Sequence, residues 1–241
     1  MNNNVIEISS LYKSYGKHQI LDQIDITIPK GTFAGLVGEN GVGKTTLIKC
    51  ILDFCSFENG NIQLFGIEHK ETASRSKVTY LPEKFLPPYY LTGEEFLRYM
   101  AELHGVEYKD VESENMLKIL DLDKSALQKP VRQYSKGMGQ KLGLMACFLS
   151  NKELMVFDEP MSGLDPRARA MLKQHLMKLK IQGKTLFYST HLLEDIQFLC
   201  DQVIILHDGK VCFSGTITEC YSAYNVDNLE AAYLACTEVP A

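Results

Sequence analysis

Short apolar runs separated by turn sequences occupy roughly the first third of the chain. The runs either alternate apolar with polar residues or stay apolar throughout, and both patterns are typical of β-strands. Turn sequences at residues 29–31 (Pro-Lys-Gly) and 58–60 (Glu-Asn-Gly) interrupt them. We predict strands at residues 5–9, 20–28, 32–37, 61–64 and 77–80.

The middle of the chain, up to residue 150, has a helical pattern instead. Thr92 and Glu95 have the spacing of a capping box, which predicts a helix that runs to about His104 and ends at Gly105. A second helix is predicted at about residues 110–120.

Apolar strand patterns return after Ser150, with helices expected between them. We predict strands at residues 154–157, 185–189 and 203–206. Asp165 followed by Pro166 predicts a helix start, because Asp caps a helix well and Pro suits its first position. The order is therefore a strand-rich start, a helical insertion and a parallel α/β end.

A glycine-rich loop follows the predicted strand at residues 32–37. Residues 38–46 read Gly-Glu-Asn-Gly-Val-Gly-Lys-Thr-Thr and match G-x-x-x-x-G-K-[ST] at every fixed position. The glycines let backbone N–H groups approach a phosphate chain, Lys44 adds a positive charge that reaches the β and γ phosphates, and the Thr45 hydroxyl can bind Mg²⁺. Residues 46–54 read as a helix whose N-terminus faces the anion, which favours a true phosphate loop over a chance match. The candidate nucleotide-binding residues here are Gly38, Asn40, Gly41, Gly43, Lys44, Thr45 and Thr46.

Two carboxylates follow the apolar run at residues 154–157. Such a run predicts a strand buried on both faces, and open α/β sheets bind ligands at the carboxyl ends of their strands. Asp158 is placed there to hold Mg²⁺, and Glu159 to orient and polarise an attacking water. A helix cap or a solvated turn would explain the pair equally well by itself, but the phosphate loop favours the catalytic interpretation.

Two further groups are candidates for contacting phosphate. Residues 134–141 (Tyr-Ser-Lys-Gly-Met-Gly-Gln-Lys) place Ser135 at the cap of an apolar helix, which predicts a second anion site. His191 follows the predicted strand at 185–189 and would lie at the same sheet edge as Glu159, although a lone histidine is more often a packing or capping residue.

Composition limits the classes of function. The chain has 241 residues and a net charge of -5, so it can bury a full core but offers no basic field for nucleic acid, and no nucleic-acid partner is expected. It has no signal-peptide pattern and no apolar stretch near the ~18 residues of a membrane span. Its 7 scattered cysteines, never spaced C-x-x-C, suit reduced thiols in the cytoplasm.

Together these motifs resemble one family. The phosphate loop, the Ser-x-Gly sequence at Ser135, and the sequences at residues 157–160 (Phe-Asp-Glu-Pro), 162–166 (Ser-Gly-Leu-Asp-Pro) and 189–191 (Ser-Thr-His) occur in the order and rough spacing of ATP-binding cassette ATPases, the nucleotide-binding domains of ABC transporters. The resemblance implies an α/β fold with a P-loop NTPase core, a mostly parallel sheet, an antiparallel β-subdomain and an inserted α-helical subdomain.

The resemblance also implies one ABC ATPase domain over residues 1–241. Residues 1–85 and 151–215 would form the α/β core with the β-subdomain. Residues 86–150 would form the helical insertion that carries the signature, and residues 216–241 a short C-terminal extension.

Family members of this kind bind MgATP between the phosphate loop of one cassette and the signature of a second, in a head-to-tail dimer. By similarity Ser135 and Gly137 would contact the γ-phosphate across the interface, and Asp165 would couple the two sites. His191 would hold the γ-phosphate and water, and Tyr15 would stack on adenine, with ordinary packing as its alternative. A homodimer is expected, and a heterodimer stays open.

Two motifs depart from the family pattern. The usual Leu-Ser-Gly-Gly-Gln signature reads Tyr-Ser-Lys-Gly-Met at residues 134–138, and Glu83 stands where a glutamine is usual. Glu83 is a candidate for orienting a metal-bound water, although its charge would lie near Mg²⁺ and phosphate. These features and residues 228–234 look like the branch that serves ABC-2-type exporters.

A transporter cassette without membrane spans needs separate transmembrane permease subunits, and would lie in the cytoplasm at the inner face of the cell membrane. Residues 85–91 (Phe-Leu-Pro-Pro-Tyr-Tyr-Leu) are the candidate docking surface, with internal packing of these side chains as the alternative. A non-transport cassette acting on another macromolecule is the main competing class, weakened by the acidic charge. A regulatory ATP-binding module without turnover is weakened by Glu159 and His191.

Overall fold

The computed structural model describes residues 3–238 of the chain. Ten strands are formed in this part: β1 (Asn4–Tyr15), β2 (His18–Pro29), β3 (Phe33–Val37), β4 (Asn59–Leu64), β5 (Ile67–Glu68), β6 (Val78–Leu81), β7 (Leu154–Asp158), β8 (Thr185–Thr190), β9 (Gln202–His207) and β10 (Lys210–Thr216). Its α-helices are α1 (Lys44–Ile51), α2 (Gly93–His104), α3 (Asp110–Ile119), α4 (Lys136–Leu149), α5 (Pro166–Ile181), α6 (Leu193–Leu199), α7 (Ile217–Tyr224) and α8 (Leu229–Glu238).

The strands form two sheets. One is antiparallel with the order β2-β1-β4-β5, and the other has the order β10-β9-β3-β8-β7-β6. In the larger sheet every adjacent pair is parallel except β10 with β9. Parallel neighbours need crossover connections, and helices supply them here. The expected α/β fold with a mostly parallel sheet and an antiparallel companion sheet is therefore confirmed.

The central strands of the larger sheet are buried on both faces. Phe33 and Val37 of β3 pack with the helices α2, α4 and α5, whereas Ala34 and Leu36 face the opposite cluster, which includes α1 and the antiparallel sheet. This alternation explains why β3, β7 and β8 read as continuous apolar runs, since a strand covered on both sides has no polar face. The strands that carry the chemical motifs are thus held rigidly in the core.

The helical insertion lies between β6 and β7. Its first helix, α2, begins as predicted. Thr92 caps α2 and exchanges hydrogen bonds with Glu95 in a complete capping box, and Gly105 ends the helix in the left-handed conformation. Helix α4 packs closely on the end of β6, because a Cβ at Gly143 would lie 2.6 Å from Leu81 Cδ1. The insertion is therefore joined to the sheet that carries the phosphate loop.

Several boundaries differ from the predictions. Strand β1 runs to Tyr15 rather than to residue 9, passing irregularities in its pairing near Ser10, which has a φ of 48°. Helix α1 begins at Lys44 and ends at Ile51, not at residues 46 and 54, because Asp53 turns left-handed with a φ of 60°. Strands β5 and β10 and helices α7 and α8 are additional to the predicted set.

Within residues 3–238, we find no helix both long and apolar enough to cross a membrane.

Candidate nucleotide site

Three adjacent parallel strands bring the predicted motifs to one sheet edge. Val37 at the end of β3 pairs with Thr190 of β8, and Asp158 at the end of β7 pairs with Ser189 of β8. The phosphate loop, the carboxylate pair and His191 therefore all follow strands that end at the same level. This edge is where open α/β sheets bind their ligands.

The phosphate loop turns sharply between β3 and α1. Gly41 and Gly43 have φ values of 87° and 116°, which residues with a Cβ rarely adopt. Gly38 is required for a different reason, since a Cβ there would lie 2.4 Å from the backbone oxygen of Leu206. The loop thus keeps its backbone free of side chains where an anion would approach the N-terminus of α1.

The Lys44 side chain is folded back into this loop and is 7% exposed. Its Nζ donates hydrogen bonds to the backbone oxygens of Gly38, at 2.6 Å, and Glu39, at 3.0 Å. Burial lowers the pKa of Lys44, and the carboxylates of Glu159, Asp158 and Glu83 oppose this shift. The Lys44 ammonium group therefore lies close enough to these carboxylates for their charges to influence one another.

Asp158 is held by two hydroxyl groups. Thr45 Oγ1 donates to Asp158 Oδ2 at 2.7 Å, and Ser189 Oγ donates a short hydrogen bond to Asp158 Oδ1. Asp158 itself is 1% exposed. Because both carboxylate oxygens are fixed, the orientation of Asp158 relative to the phosphate loop is set before any ligand arrives.

Glu159 leaves the sheet in an unusual backbone conformation. Its φ is 51°, in the left-handed region, and its backbone N–H donates to both the carbonyl and the hydroxyl oxygen of Ser189. His191 Nδ1 lies 3.1 Å from each oxygen of the Glu159 carboxylate. The carboxylate is thus aimed along the sheet edge and contacts the histidine that the sequence places there.

A cavity of about 520 Å³ opens at this edge. Eleven of the predicted site residues line it: Tyr15, Asn40, Gly41, Gly43, Lys44, Thr45, Thr46, Glu83, Asp158, Glu159 and His191. Gly38 lies behind the cavity, where its backbone oxygen accepts a hydrogen bond from Lys44.

Tyr15 forms one end of this cavity. Its side chain is 50% exposed, and Lys13 Nζ lies 4.6 Å from the centre of its ring. An aromatic ring supported by a cation and exposed to the cavity is suited to stacking on a planar base.

The donor set fits a magnesium ion. The Thr45 hydroxyl and the Asp158 and Glu83 carboxylates all line the cavity and are hard oxygen groups of the kind that Mg²⁺ prefers. Within the described part of the chain, no group of three or more His, Cys, Asp and Glu side chains is arranged to hold a metal by itself. Mg²⁺ usually binds one or two protein carboxylates and completes its shell with phosphate and water, so two carboxylates and one hydroxyl suit it.

The signature residues lie outside the cavity. Ser135 caps α4 by accepting a hydrogen bond from the backbone of Met138, and Asp165 caps α5 by accepting one from Ala168. The Ala168 N–H lowers the pKa of Asp165. Ser135, Gly137 and Asp165 therefore do not join the other predicted residues in this chain's own cavity.

The signature is nevertheless packed on the loop that follows Glu159. Lys136 Nζ donates to Ser162 Oγ at 3.1 Å, and Gln140 Nε2 donates to the Pro160 oxygen at 3.1 Å. A Cβ at Gly137 would lie 2.7 Å from the Gly163 oxygen. The first turns of α4 thus contact a loop that begins one residue after Glu159.

Sequence reasoning missed Ile20 and Ser162, which also line the cavity. Ile20 belongs to β2, and only tertiary packing brings its backbone near Gly43. Ser162 offered a usable signal, because it opens the Ser-Gly-Leu-Asp-Pro sequence directly after the carboxylate pair.

The phosphate loop between β3 and α1, the carboxylate pair on a neighbouring parallel strand and the inserted helices define an ABC-class P-loop ATPase domain. A profile of the family described as ABC transporter matches residues 21–162. The chain belongs to the ABC transporter family.

Individual relatives agree with this assignment. The chain is 36% identical over 221 residues to an ABC transporter ATP-binding protein, sll0415, of Synechocystis sp., covering 88% of this chain and 62% of that protein. It is 36% identical over 220 residues to the bacitracin transport ATP-binding protein BcrA of Enterococcus faecalis, covering 89% of this chain and 70% of BcrA. The chain thus spans less than two thirds of the length of the Synechocystis relative.

Solved structures share the whole fold. A structure described as the ATP-binding subunit of an ABC transporter superposes with a TM-score of 0.88 at 29% identity, covering 96% of this chain and 99% of that one. The dimeric cassette MJ0796, bound to ADP and Pi in a post-hydrolysis state, superposes with a TM-score of 0.79 at 21% identity, covering 88% of this chain and 98% of the other.

Proposed function

We propose that this chain is the ATP-binding subunit of an ABC transporter, and that it hydrolyses MgATP at the interface of a cassette dimer to drive export through separate membrane subunits. The observation that carries the proposal is the contact network from Thr45 through Asp158 to Glu159 and His191. In this network, oxygen atoms that would bind a cation, a carboxylate and a histidine lie beside the glycine-rich loop that would bind phosphates.

Phosphoryl transfer to water needs charge neutralisation and an oriented nucleophile. The loop amides and Lys44 would bind the polyphosphate, and Thr45, Asp158 and Glu83 would hold Mg²⁺, which neutralises phosphate charge. Glu159 would accept a hydrogen bond from the attacking water, and His191 would fix the Glu159 carboxylate and contact the γ-phosphate.

A second cassette would complete the site. Ser135 and Gly137 lie outside this chain's own cavity, on the exposed end of α4, so they are available to a nucleotide bound by another copy. Both halves of the composite site are present in one chain, which supports a homodimer. The dimeric post-hydrolysis form of MJ0796 is consistent with this arrangement.

Two observations support a membrane partner. The relatives named for bacitracin transport and linearmycin resistance suggest an export role at the inner face of the cell membrane. In the candidate docking segment Leu86, Tyr89 and Tyr90 are exposed, whereas Phe85 packs on Phe96 with ring centres 5.6 Å apart. Phe85 and Leu91 thus anchor the two ends of the segment on the core, and the residues between them present exposed apolar side chains, as a permease contact would require.

The test of the function is the substitution Glu159→Gln. The amide keeps the size of the side chain but is a poor proton acceptor, so ATP binding should persist while hydrolysis falls by roughly 10²- to 10⁴-fold. Calorimetry measures binding, and a phosphate-release assay measures turnover.

The matched control is Glu153→Gln, just before the opposite end of β7, where Glu153 pairs with Lys30 and Lys77 at the surface. This variant should keep both binding and turnover. Near-normal phosphate release by Glu159→Gln would exclude Glu159 as the principal water-activating group.

A further inference from the structure

Cys50 and Cys55 form a close pair of thiols behind the nucleotide cavity. Their sulfur atoms are 3.5 Å apart. Cys50 lies in the last turn of α1 and is buried, while Cys55 follows the helix and is partly exposed. The left-handed turn at Asp53 and the hydrogen bond from Phe54 N–H to the Lys49 oxygen, at 2.8 Å, fold the chain back so that the two thiols meet.

This pair touches the cavity through Tyr15. Burial raises the pKa of Tyr15, and the neighbouring thiols of Cys55 and Cys50 raise it further. Tyr15 and Thr46 both line the nucleotide cavity. A change in the position of Cys55 would therefore change the surroundings of the Tyr15 ring, which is proposed to stack on the base.

We propose that Cys50 and Cys55 constitute a dithiol modification site, which a low-molecular-weight disulfide converts into an intramolecular disulfide, and that this closure weakens ATP binding. The second half of the proposal rests on the ATP-binding function proposed above. Cytosolic disulfides are usually transient and redox-sensing, which is the behaviour expected of such a pair.

The chemistry proceeds by two thiol–disulfide exchanges. The Cys55 thiolate attacks one sulfur of glutathione disulfide, forms a mixed disulfide and releases one glutathione thiolate. The Cys50 thiolate then attacks the Cys55 sulfur, forms the protein disulfide and releases the second glutathione thiolate. Two electrons pass from the protein thiols to the glutathione disulfide, and the two thiol protons pass to solvent.

The order of these steps follows from exposure. Cys55 is partly exposed, whereas Cys50 is buried and burial raises its pKa. Cys55 therefore reacts first, and the mixed disulfide at Cys55 should be detectable as a transient species.

Closure would change the position of Cys55 beside Tyr15. A disulfide bond is about 2.05 Å long, so the two sulfur atoms must approach by about 1.5 Å. Cys50 is fixed in the core on α1, so most of this movement falls on Cys55. The surroundings of the Tyr15 ring then change, so the ring must be ordered again when a base stacks on it, which costs affinity.

The first test is a mass measurement after oxidation with glutathione disulfide. Trypsin cleaves after Lys49 and Lys70, so the peptide of residues 50–70 contains Cys50 and Cys55 and no other cysteine. We expect this peptide to become about 2 Da lighter and to resist alkylation, since two hydrogens are lost. A peptide that stays fully alkylated in glutathione disulfide, while the protein remains folded, would overturn the proposal.

The second test measures ATP affinity in the reduced and oxidised protein by calorimetry. We expect oxidation to weaken binding several-fold. Saturating ATP should then lower the equilibrium constant for disulfide formation by the same factor, because the coupling between two binding events is reciprocal. Equal ATP affinity in both forms would reject the link to the nucleotide site.

Variants separate this effect from the other thiols. Cys55→Ser keeps a hydroxyl near Tyr15 and should bind ATP like the reduced protein in either redox condition. Cys212→Ser, which changes another partly exposed cysteine, should respond to oxidation like the unmodified chain. If Cys55→Ser stays sensitive to oxidation, the proposal is wrong. If reduced protein binds no ATP, the proposed function fails, and the dithiol site is judged by the peptide mass alone.

Discussion

Lys44 is subject to two opposing electrostatic effects. Burial favours its neutral form, while three carboxylates at the sheet edge favour its charged form. Its two hydrogen bonds to loop carbonyls keep the ammonium group at the position where phosphate oxygens are expected to bind. The residue therefore contributes to the site by a fixed location as much as by its charge.

Replacing Lys44 tests this contribution. Lys44→Ala should weaken ATP binding by about 10- to 100-fold, because charge-assisted hydrogen bonds contribute roughly 1.5–3 kcal/mol. Calorimetric titration with MgATP measures the change. Lys49→Ala removes an exposed lysine from the same helix and should leave the affinity unchanged. Equal affinities in the two variants would contradict the role of Lys44.

Helix α4 connects the signature to the loop that follows Glu159 in the same chain. Its first turns contact Pro160, Ser162 and Gly163, and Lys141 Nζ lies 3.7 Å from Asp165 Oδ2. A displacement of the loop after Glu159 would therefore also move Ser135 at the start of α4. This contact offers a physical route by which one nucleotide site influences the next in a dimer.

Two glycines in the first turn of α4 test the contact. Gly137→Ala should push the turn away from the Gly163 oxygen and reduce ATP turnover at least tenfold, with binding of MgATP to the single chain preserved. Gly139→Ala is the matched control, since its Cβ meets no atom within 4 Å. It should keep turnover and raise the thermal midpoint slightly, because Ala favours a helix over Gly. Similar turnover in both variants would argue against the contact.

Helix α5 buries a histidine that should make stability depend on pH. His175 packs on Phe148 with ring centres 4.6 Å apart, and its buried Nε2 has no hydrogen-bond partner among the described residues. Burial lowers the pKa of His175 below its ordinary value of 6.5, so the folded protein binds fewer protons than the unfolded chain. Its contribution is complete above about pH 6.5 and is lost as the pH falls toward the folded-state value.

His175→Leu should therefore flatten the decline in the free energy of unfolding between about pH 6.5 and pH 5. Burial also lowers the pKa values of His69 and His104, so part of the decline should remain. Urea denaturation at several pH values measures the free energy of unfolding. The exposed residue His18 supplies the control, because His18→Gln removes a histidine without changing the packing around His175. If the free energy of unfolding of His175→Leu declines with pH as steeply as that of the unmodified chain, burial of His175 does not cause the decline.

At the scale of the whole molecule, the site residues are divided between two surfaces. One surface carries the cavity from Tyr15 to His191, and the other carries Ser135 and Gly137 on α4. A single copy therefore lacks the signature contacts that the family resemblance implies for bound ATP. Two copies in head-to-tail orientation would supply them twice.

Assembly can be observed directly. Glu159→Gln with MgATP should elute as a dimer in size-exclusion chromatography, because slow hydrolysis keeps the nucleotide between the copies. Chelating Mg²⁺ with EDTA should return it to a monomer. Adding Ser135→Arg places a bulky side chain at the interface and should prevent dimerisation while calorimetry still detects ATP. A dimer of unchanged stability in that double variant would refute the proposed interface.

The sequence predicted which motifs meet at one sheet edge better than it predicted the boundaries of the helices and strands. The loop at residues 38–46 and the pair Asp158 and Glu159 were recognisable because phosphate and Mg²⁺ binding permit few residue types. The extension of β1 was not, since the pairing irregularity near Ser10 breaks the alternation that identifies a strand, while the Ser10 N–H bonds to Asp25 Oδ1 at 2.8 Å. Ile20 reaches the site by packing between distant segments, which no local pattern records.

The left-handed backbone at Glu159 also has an evolutionary consequence. A non-glycine residue in this conformation carries a steric penalty of roughly 1–2 kcal/mol, which Gly avoids and Asn reduces. A descendant of this cassette released from selection for turnover would therefore gain stability by drifting to Gly or Asn at position 159. A cassette of any lineage that retains Glu at this position despite the conformational disadvantage would therefore still be under selection for ATP hydrolysis.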